Sequence, residues 1–327
     1  MNHPLLFRIA GLLIAIVSFG LAQAQENPAK SFPDKPVRVI VGYAAGGGND
    51  IVARIISQKL AEGLGQPVVV ENKPGAAGGI AAAYVAKANS DGYTLLFAPS
   101  SMFTTNPVMF KKLPYSLSDF VPVSTAVTYP LILIVGESQS PQSTKDLVQY
   151  LKTNPNKANF AGAAGLFQLA FELFKSQTGT AGEYITYKGT NQSVAAVMTG
   201  EVLMTMADAG PVSGALKGGK VRGLAVTSRE RLASYPNIPT VAEAGFPGLE
   251  MGSWMGLLAP AGTPMPIVRK LQQEVNRIVK TTAFKERMNA LEVNPEGNTS
   301  EQFAAMITSD LARWRVVAKA SQIEPAD

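Results

Sequence analysis

The segment VRVIVGYAAGGGND, residues 37–50, constrains this chain more than any other stretch. Val37, Val39, Ile40 and Val41 form a β-branched run suited to one buried strand. Gly42 to Gly48 follow, and a helix-like pattern begins at Ile51. Three consecutive glycines let the backbone turn sharply and aim several N–H groups in one direction. The helix N-terminus behind them adds partial positive charge. The pattern predicts an anion cradle that reads an oxygen-rich small ligand through backbone donors. A glycine-rich turn needed only for packing remains the alternative at this point. It is not a nucleotide motif: no Gly-Lys-Ser/Thr follows, and the spacing is not that of a dinucleotide fingerprint.

The rest of the first third extends the alternation. A helix is expected over roughly 51–62, with Val52, Ile55, Ile56 and Leu60 on one face and Gly63 and Gly65 ending it. Pro67–Glu71 reads as a second strand. Pro74–Gly79 opens an alanine-rich helix reaching Ala88, and Tyr93–Ala98 reads as a third strand. This rhythm implies right-handed crossovers and a largely parallel sheet, hence an α/β fold. The loop Pro99-Ser100-Ser101-Met102 falls at the same carboxyl edge as the cradle, where open α/β sheets bind ligands. Ser100 and Ser101 are therefore candidate hydroxyl donors, or ordinary turn serines.

Asn106–Tyr129 is less regular, and Leu131–Val135 is a further buried strand. A helix over Lys145–Lys152, a small-residue loop at Asn159–Gly165 and a helix containing Leu169, Leu173 and Phe174 repeat the strand–loop–helix logic. Tyr184–Lys188, Met204–Ala207 and Val221–Thr227 read as strands, with a helix over Val194–Met198. Near the end, Thr263 is the expected cap of a helix with Ile267, Val268, Leu271, Val275 and Ile278 on one face. Thr299 and Gln302 form a capping-box pattern ahead of Phe303, Ile307, Leu311, Trp314 and Val317.

Composition narrows the chemistry. Residues 1–24 combine Arg8, an apolar core and the small-residue site Ala22-Gln23-Ala24, the pattern of a cleavable secretory signal peptide without a lipidated cysteine. The expected destination is the periplasm. Removing this segment takes away the only histidine, His3, and leaves 28 basic against 24 acidic residues. Without His or Cys, the mature chain cannot build a Ser-His-Asp or Cys-His site or a usual zinc site. No catalytic residues, metal ligands or cofactors are assigned, and no basic stripe marks a nucleic-acid partner.

Seven segments in a fixed order carry a resemblance. They are FPDKPVRVIVGYAAGGGNDIVAR (32–54), LGQPVVVENKPGAAGG (64–79), DGYTLLFAPS (91–100), YKGT (187–190), GLAVTSRERL (223–232), PNIPTVAEAGFPG (236–248) and SWMGLLAPAGTP (253–264). In these the chain closely resembles the extracytoplasmic solute receptors of tripartite tricarboxylate transporters, the Bug family. The resemblance implies a two-lobed periplasmic binding protein of the type II class, with a ligand cleft between two mainly parallel-sheet domains. The implied lobes are residues 25–128 with 250–327, and residues 129–249. It further implies a small organic carboxylate as ligand, aliphatic or aromatic, delivered to membrane permease subunits by a monomer. A ligand-sensing receptor that presents its closed form to a membrane signalling partner is the alternative.

Carried onto this sequence, the carboxylate grip involves Tyr43, Ala44, Ala45, Gly46, Gly47 and Asn49 in the first lobe, with Asp50 at the helix start serving contact or capping. Gly162, Ala163 and Ala164 answer from the second lobe, with Tyr187 and Lys188 nearby. The chain departs from the family pattern in having Ala45 for the common Pro and Asn49 for the frequent Thr. Its second-lobe loop is about two residues shorter and lacks hydroxyls, carrying Leu166 and Phe167 instead. The family's usual acidic residue aligns with Ala207, and Asp208 is either its shifted equivalent or a loop residue. Tyr43, Phe103, Phe167 and Trp254 are candidates to line the cleft for an aromatic acid, or core residues, the commoner role of each alone.

Overall fold

The computed structural model describes residues 31–163 and 165–326. The expected signal peptide and Ala164 lie outside the described residues. The first βαβ units are built as their patterns require. β1 (Val37–Val41) is buried on both faces, which explains its unbroken apolar run, and α1 (Gly48–Leu64) follows it. β2 (Val68–Asn72), α2 (Gly79–Ala86), β3 (Thr94–Pro99) and the short α3 (Asn106–Met109) come next. α2 starts later than the sequence suggests, because Ala76 and Ala77 hold left-handed φ values of 48° and 50° within a one-turn loop.

β4 (Phe120–Gly136) is the long element of the structure. The irregular reading of its first ten residues is corrected here: Pro122 and two register shifts against its neighbour hide the alternation, yet the chain stays extended. The second lobe contains α4 (Thr144–Thr153), capped by the Ser143 hydroxyl, and β5 (Asn159–Gly162). The residues expected as a loop at 159–162 are thus a strand, and the loop begins only after Gly162. α5 (Leu166–Thr178), β6 (Glu183–Thr186), α6 (Thr190–Thr199), β7 (Met204–Asp208), α7 (Ala209–Lys217) and β8 (Val221–Val226) complete it. The chain returns through β9 (Gly252–Pro260) and ends with α8 (Met265–Ile278), α9 (Thr282–Asn289), β10 (Asn294–Pro295) and α10 (Ser300–Ala320).

The strands lie in the order β2-β1-β3-β9-β4 in the first lobe, with β10 also against β4. In the second lobe the order is β6-β5-β7-β4, with β8 on the other side of β4. The β1, β2 and β3 pairings are parallel, as are β5 with β6 and β7, while β4 and β9 run antiparallel to their neighbours. β4 belongs to both lobes: its last pair with β9 is Pro130–Gly252, and its first with β7 is Leu131–Asp208. All carboxyl ends of β1 to β3 and of β5 to β8 therefore turn toward the crossover.

Each lobe is covered on both faces. One face of the first sheet packs Val39 and Val41 against Val52, Ile56 and Leu60 of α1 and Val268, Leu271 and Val275 of α8. Its other face packs Ile40, Leu96 and Leu258 against Ala81 and Val85 of α2 and Phe303 and Ile307 of α10. In the second lobe, Leu131 and Leu133 meet Leu169, Phe171 and Phe174 of α5, while Ile132 and Ile134 meet Val194 and Val197 of α6 and Val212 of α7. The expected capping box is formed at α10, where the Thr299 hydroxyl accepts from the Gln302 N–H at 3.1 Å and Gln302 returns the bond at 3.0 Å. Thr263 does not cap α8. Its hydroxyl donates to the Pro260 carbonyl at 2.7 Å, and Pro264 takes the cap position.

α10 spans the two cores. Phe303 and Ile307 lie in the first, whereas Trp314, Val317 and Ala318 pack into the cluster around Leu131 and Phe174. Truncating Trp314 to Ala removes the largest second-lobe anchor of this helix and is expected to cost about 3–5 kcal/mol. Denaturant unfolding of the variant checks it, and a loss below about 1 kcal/mol would contradict the bridging role.

Candidate functional site

The cradle is set by how β1 leaves the sheet. A side chain on Gly42 would put its Cβ 2.8 Å from the Gly78 Cα, so only glycine lets the two loops meet there. Gly46 then takes φ 82°, and α1 begins at Gly48 with Gly47 as its cap. The first-turn N–H groups of Gly48, Asn49 and Asp50 have no intrahelical acceptor. Ala44 to Gly48 are exposed as a lip, while Asn49 and Asp50 are buried behind it.

Asp50 organises this loop. Its carboxylate accepts from the Gly46 N–H at 2.8 Å, the Arg54 Nε at 2.9 Å and the Asn72 Nδ2 at 2.8 Å, while Asn72 also donates to the Tyr43 carbonyl at 3.0 Å. Burial alone pushes this carboxyl up, but the Arg54, Gly46 and Asn72 bonds outweigh it and hold it at about 2. Of the two roles open to Asp50, the geometry supports positioning: its acceptors hold the loop. The Gly46 N–H is spent in the same bond and is not a ligand donor.

Asn49 is the opposite case. It is only 8% exposed, yet neither its Nδ2 nor its Oδ1 has a hydrogen-bond partner. A buried carboxamide normally finds partners, since leaving one unmet costs about 1–3 kcal/mol. Asn49 lies in the first turn of α1, beside the N–H groups of Gly48 and Asp50.

Beside the cradle runs a line of hydroxyls along the crossover strands. The Tyr43 hydroxyl lies 3.5 Å from the Ser101 Oγ and donates to the Ala77 carbonyl at 3.3 Å. The Ser100 Oγ is 2.5 Å from the Ser253 Oγ, and Ser253 pairs with Tyr129 across β4 and β9. Burial raises the Tyr129 phenol, the nearby Asp208 charge raises it further, and Ser253 and Tyr43 also act on it. Burial also pushes Asp208 up, to about 6, and its side chain makes no bond to the helix it precedes.

The second-lobe loop is held from below. The Tyr184 hydroxyl donates to the Ala163 carbonyl and lies where a Gly162 side chain would be, and the Gly162 carbonyl accepts from the Tyr187 N–H at 2.8 Å. Gly162 and Ala163 therefore reach the carboxyl edge of β5, at the start of α5. Tyr187 and Lys188 fall just past β6 rather than in it, and the Tyr187 hydroxyl is spent on Glu201 at 2.9 Å. Lys188 is exposed. Phe103 and Trp254 are corrected as cleft aromatics: Phe103 packs edge-on to Tyr115 and Phe120, and Trp254 edge-on to Phe303, all inside the first core. Tyr43 and Phe167 keep partial exposure. Nothing in the sequence singles out Tyr129, Ser253, Asn72 or Tyr184, because their roles depend on pairings 21 to 153 residues apart or on the register of β4.

Known proteins resemble this chain over most of its length. The model of the tripartite tricarboxylate transporter family receptor (TctC) matches residues 52–323. BugT of Bordetella pertussis (strain Tohama I) is 32% identical over 323 residues, covering 98% of each chain. The solved structure of R. palustris Rpa4515 with adipate is 32% identical, with TM-score 0.75 over 90% of this chain and all of the other. MatC from Rhodopseudomonas palustris with bound malate is 30% identical, with TM-score 0.70 over 88% of this chain and 99% of the other.

Two titrations follow. The Asp50 carboxyl sits at about 2 when folded and near 3.9 when unfolded, so its stabilisation is complete above about pH 5 and lost as pH falls through 2. The gap in urea stability between the native chain and Asp50→Asn should narrow by about 1–2 kcal/mol from pH 6 to pH 2, allowing for the half-exposed Arg54. A constant gap would contradict the assignment. For Asp208, raised to about 6, the sign reverses: the folded state gains from protonation below about 3.9 and loses that gain as pH rises through 6. Asp208→Asn should therefore stabilise the ligand-free protein at pH 7.5 by about 1–3 kcal/mol and change little at pH 4. Equal thermal shifts at both pH values would refute this.

Proposed function

Because the chain belongs to the tripartite tricarboxylate transporter receptor family, we propose that it is a periplasmic solute receptor that closes its two lobes on a small organic carboxylate. It is a binding protein and not an enzyme, and it hands the acid to the membrane permease subunits of a tripartite transporter. The observation that carries the ligand assignment is Asn49: a buried carboxamide with both ends unpartnered, inside the first turn of α1. A carboxylate there accepts from Asn49 Nδ2 and from the Gly48 and Asn49 N–H groups. All of these are neutral, preorganised donors, strengthened by the helix dipole. The relatives bound to adipate and malate support the same ligand chemistry.

The lobes are residues 25–128 with 250–327, and residues 129–249, in this reading. The change of β4 partner between Pro130 and Leu131 and the return at Gly252 support these limits. Release into the periplasm follows removal of residues 1–24, and the receptor acts as a monomer. Ala44 and Ala45 form the lip, Ser101 the side wall with Ser100 buried behind it on Ser253, and Gly162 and Ala163 the facing loop. Gly46 and Gly47 shape the turn.

Thermal unfolding against a panel of mono-, di- and tricarboxylates, with the matching amides as controls, tests the proposal. An acid present at 100 times its dissociation constant should stabilise the protein by about 2.7 kcal/mol, and its amide should not. Asn49→Leu keeps the branching and the number of side-chain heavy atoms and should weaken the responding acid at least about tenfold. Equal response to acid and amide, or unaltered affinity in Asn49→Leu, would defeat the reading.

A further inference from the structure

We infer that Asn106, the first residue of α3, is a positioning residue of the ligand site. By gripping the Ala77 carbonyl it keeps a strained turn, Gly75–Gly78, in the conformation that seats the cradle against the serine loop. This rests on the carboxylate-receptor reading and adds a residue to its machinery. The four residues of the turn hold φ values of 125°, 48°, 50° and 90° in chain order. Glycine takes such values freely, but each left-handed alanine crowds its Cβ against the following carbonyl oxygen. Strain of this kind persists only where the surroundings impose it, and it gathers at ligand sites. Ala76 and Ala77 are both exposed, so burial of their methyl groups does not hold them there. Hydrogen bonds do. The Gly78 N–H closes the turn on the Gly75 carbonyl at 3.0 Å, and two side chains take the Ala77 carbonyl from outside. Asn106 Nδ2 donates to it at 3.0 Å and the Tyr43 hydroxyl at 3.3 Å. Asn106 is the firmer of the two. It is only 6% exposed, and its Nδ2 also donates at 3.4 Å to the buried Tyr115 hydroxyl, which in turn donates to the Met102 carbonyl.

The turn matters because Gly78 is where two ligand-facing loops meet. A Cβ on Gly42 would fall 2.8 Å from the Gly78 Cα, and a Cβ on Gly78 would fall 2.7 Å from the Met102 Sδ. Gly78 is therefore wedged between the residue before Tyr43 and the residue after Ser101, whose hydroxyls stand 3.5 Å apart. The Thr104 and Thr105 hydroxyls brace the serine loop from within, donating to the Ser100 and Ser101 carbonyls at 2.9 and 3.3 Å. The chain from Ser100 to Asn106 is thus one braced piece, and Asn106 joins it to the turn. With right-handed values at Ala76 and Ala77, the backbone would leave Gly75 in another direction and draw Gly78 out of its seat. Gly42 and Met102 would then lose the atoms that fix their spacing, and the Tyr43 and Ser101 hydroxyls would part. Asn106 acts on the ligand through Ala77 and Gly78, since its own Nδ2 is spent on the protein. Glycine at positions 76 and 77 would hold the same turn without an outside grip, which separates this role from simple packing.

Amide spectra of the ¹⁵N-labelled protein, with isothermal titration of malate, succinate, adipate and benzoate, test this in three variants. Asn106→Ala should shift the Gly42, Tyr43, Gly78 and Ser101 amide signals. It should also weaken the acid that binds the native chain by about fivefold or more. Adding Ala76→Gly and Ala77→Gly to Asn106→Ala should return the affinity to within about twofold of native, which a general loss of stability would not allow. Ala77→Gly alone should raise the melting temperature, against the usual cost of introducing glycine, because it releases strain. Unchanged affinity in Asn106→Ala, no recovery with the glycines, or a lower melting temperature for Ala77→Gly would each overturn the inference and leave the carboxylate reading standing. If Asn106→Ala does not fold, the Ala77→Gly melting temperature decides alone. If none of the acids binds the native chain, the carboxylate reading fails and this inference with it.

Discussion

The Asp50 carboxylate holds the site together. By taking the Gly46 N–H, the Arg54 guanidinium and the Asn72 amide, it ties the glycine turn, the start of α1 and the end of β2 into one unit. A flexible Gly-rich loop would otherwise lose much of its binding free energy to ordering on contact with ligand. The same bonds neutralise Arg54, the cation nearest the cradle. What remains for the ligand is a set of fixed, uncharged donors. In the proposed reading, such a site captures an anion without the strong ion pair that would slow its release.

The crossover strands turn this local device into a two-lobed receptor. β4 and β9 carry Tyr129 and Ser253 as a cross-strand pair at the point where the chain passes between sheets. α10 runs across both cores, with Phe303 in one and Trp314 in the other. Movement between lobes must therefore be shared between the two strands and this helix, as hinge-type closure around a ligand requires.

Much of this was legible in the sequence where local chemistry decided the outcome. The apolar run of β1, the glycine turn, the start of α1 and the capping box of Thr299 and Gln302 need only neighbours a few residues away. β4 was legible only in part, since Pro122 and its register shifts interrupt the alternation that marks a strand. Trp254 and Phe103 read more readily as core than as cleft, and the sheet places them against Phe303 and Phe120. Asp50 could be located but not assigned a task, because Asn72 reaches it from another strand. Tyr129 and Ser253 carry no local signature at all. Their value comes from a pairing between strands more than a hundred residues apart, which no short-range pattern encodes.

The most direct measurement is the backbone and side-chain amide spectrum of the ¹⁵N-labelled protein as a carboxylate ligand is added. The account predicts that the Gly48 and Asn49 N–H signals and the Asn49 side-chain NH₂ shift most among the first-lobe amides, moving toward the positions expected of donors to an anion. Unchanged Gly48 and Asn49 signals, with the large shifts instead at amides remote from the cradle, would place the ligand elsewhere and contradict the account.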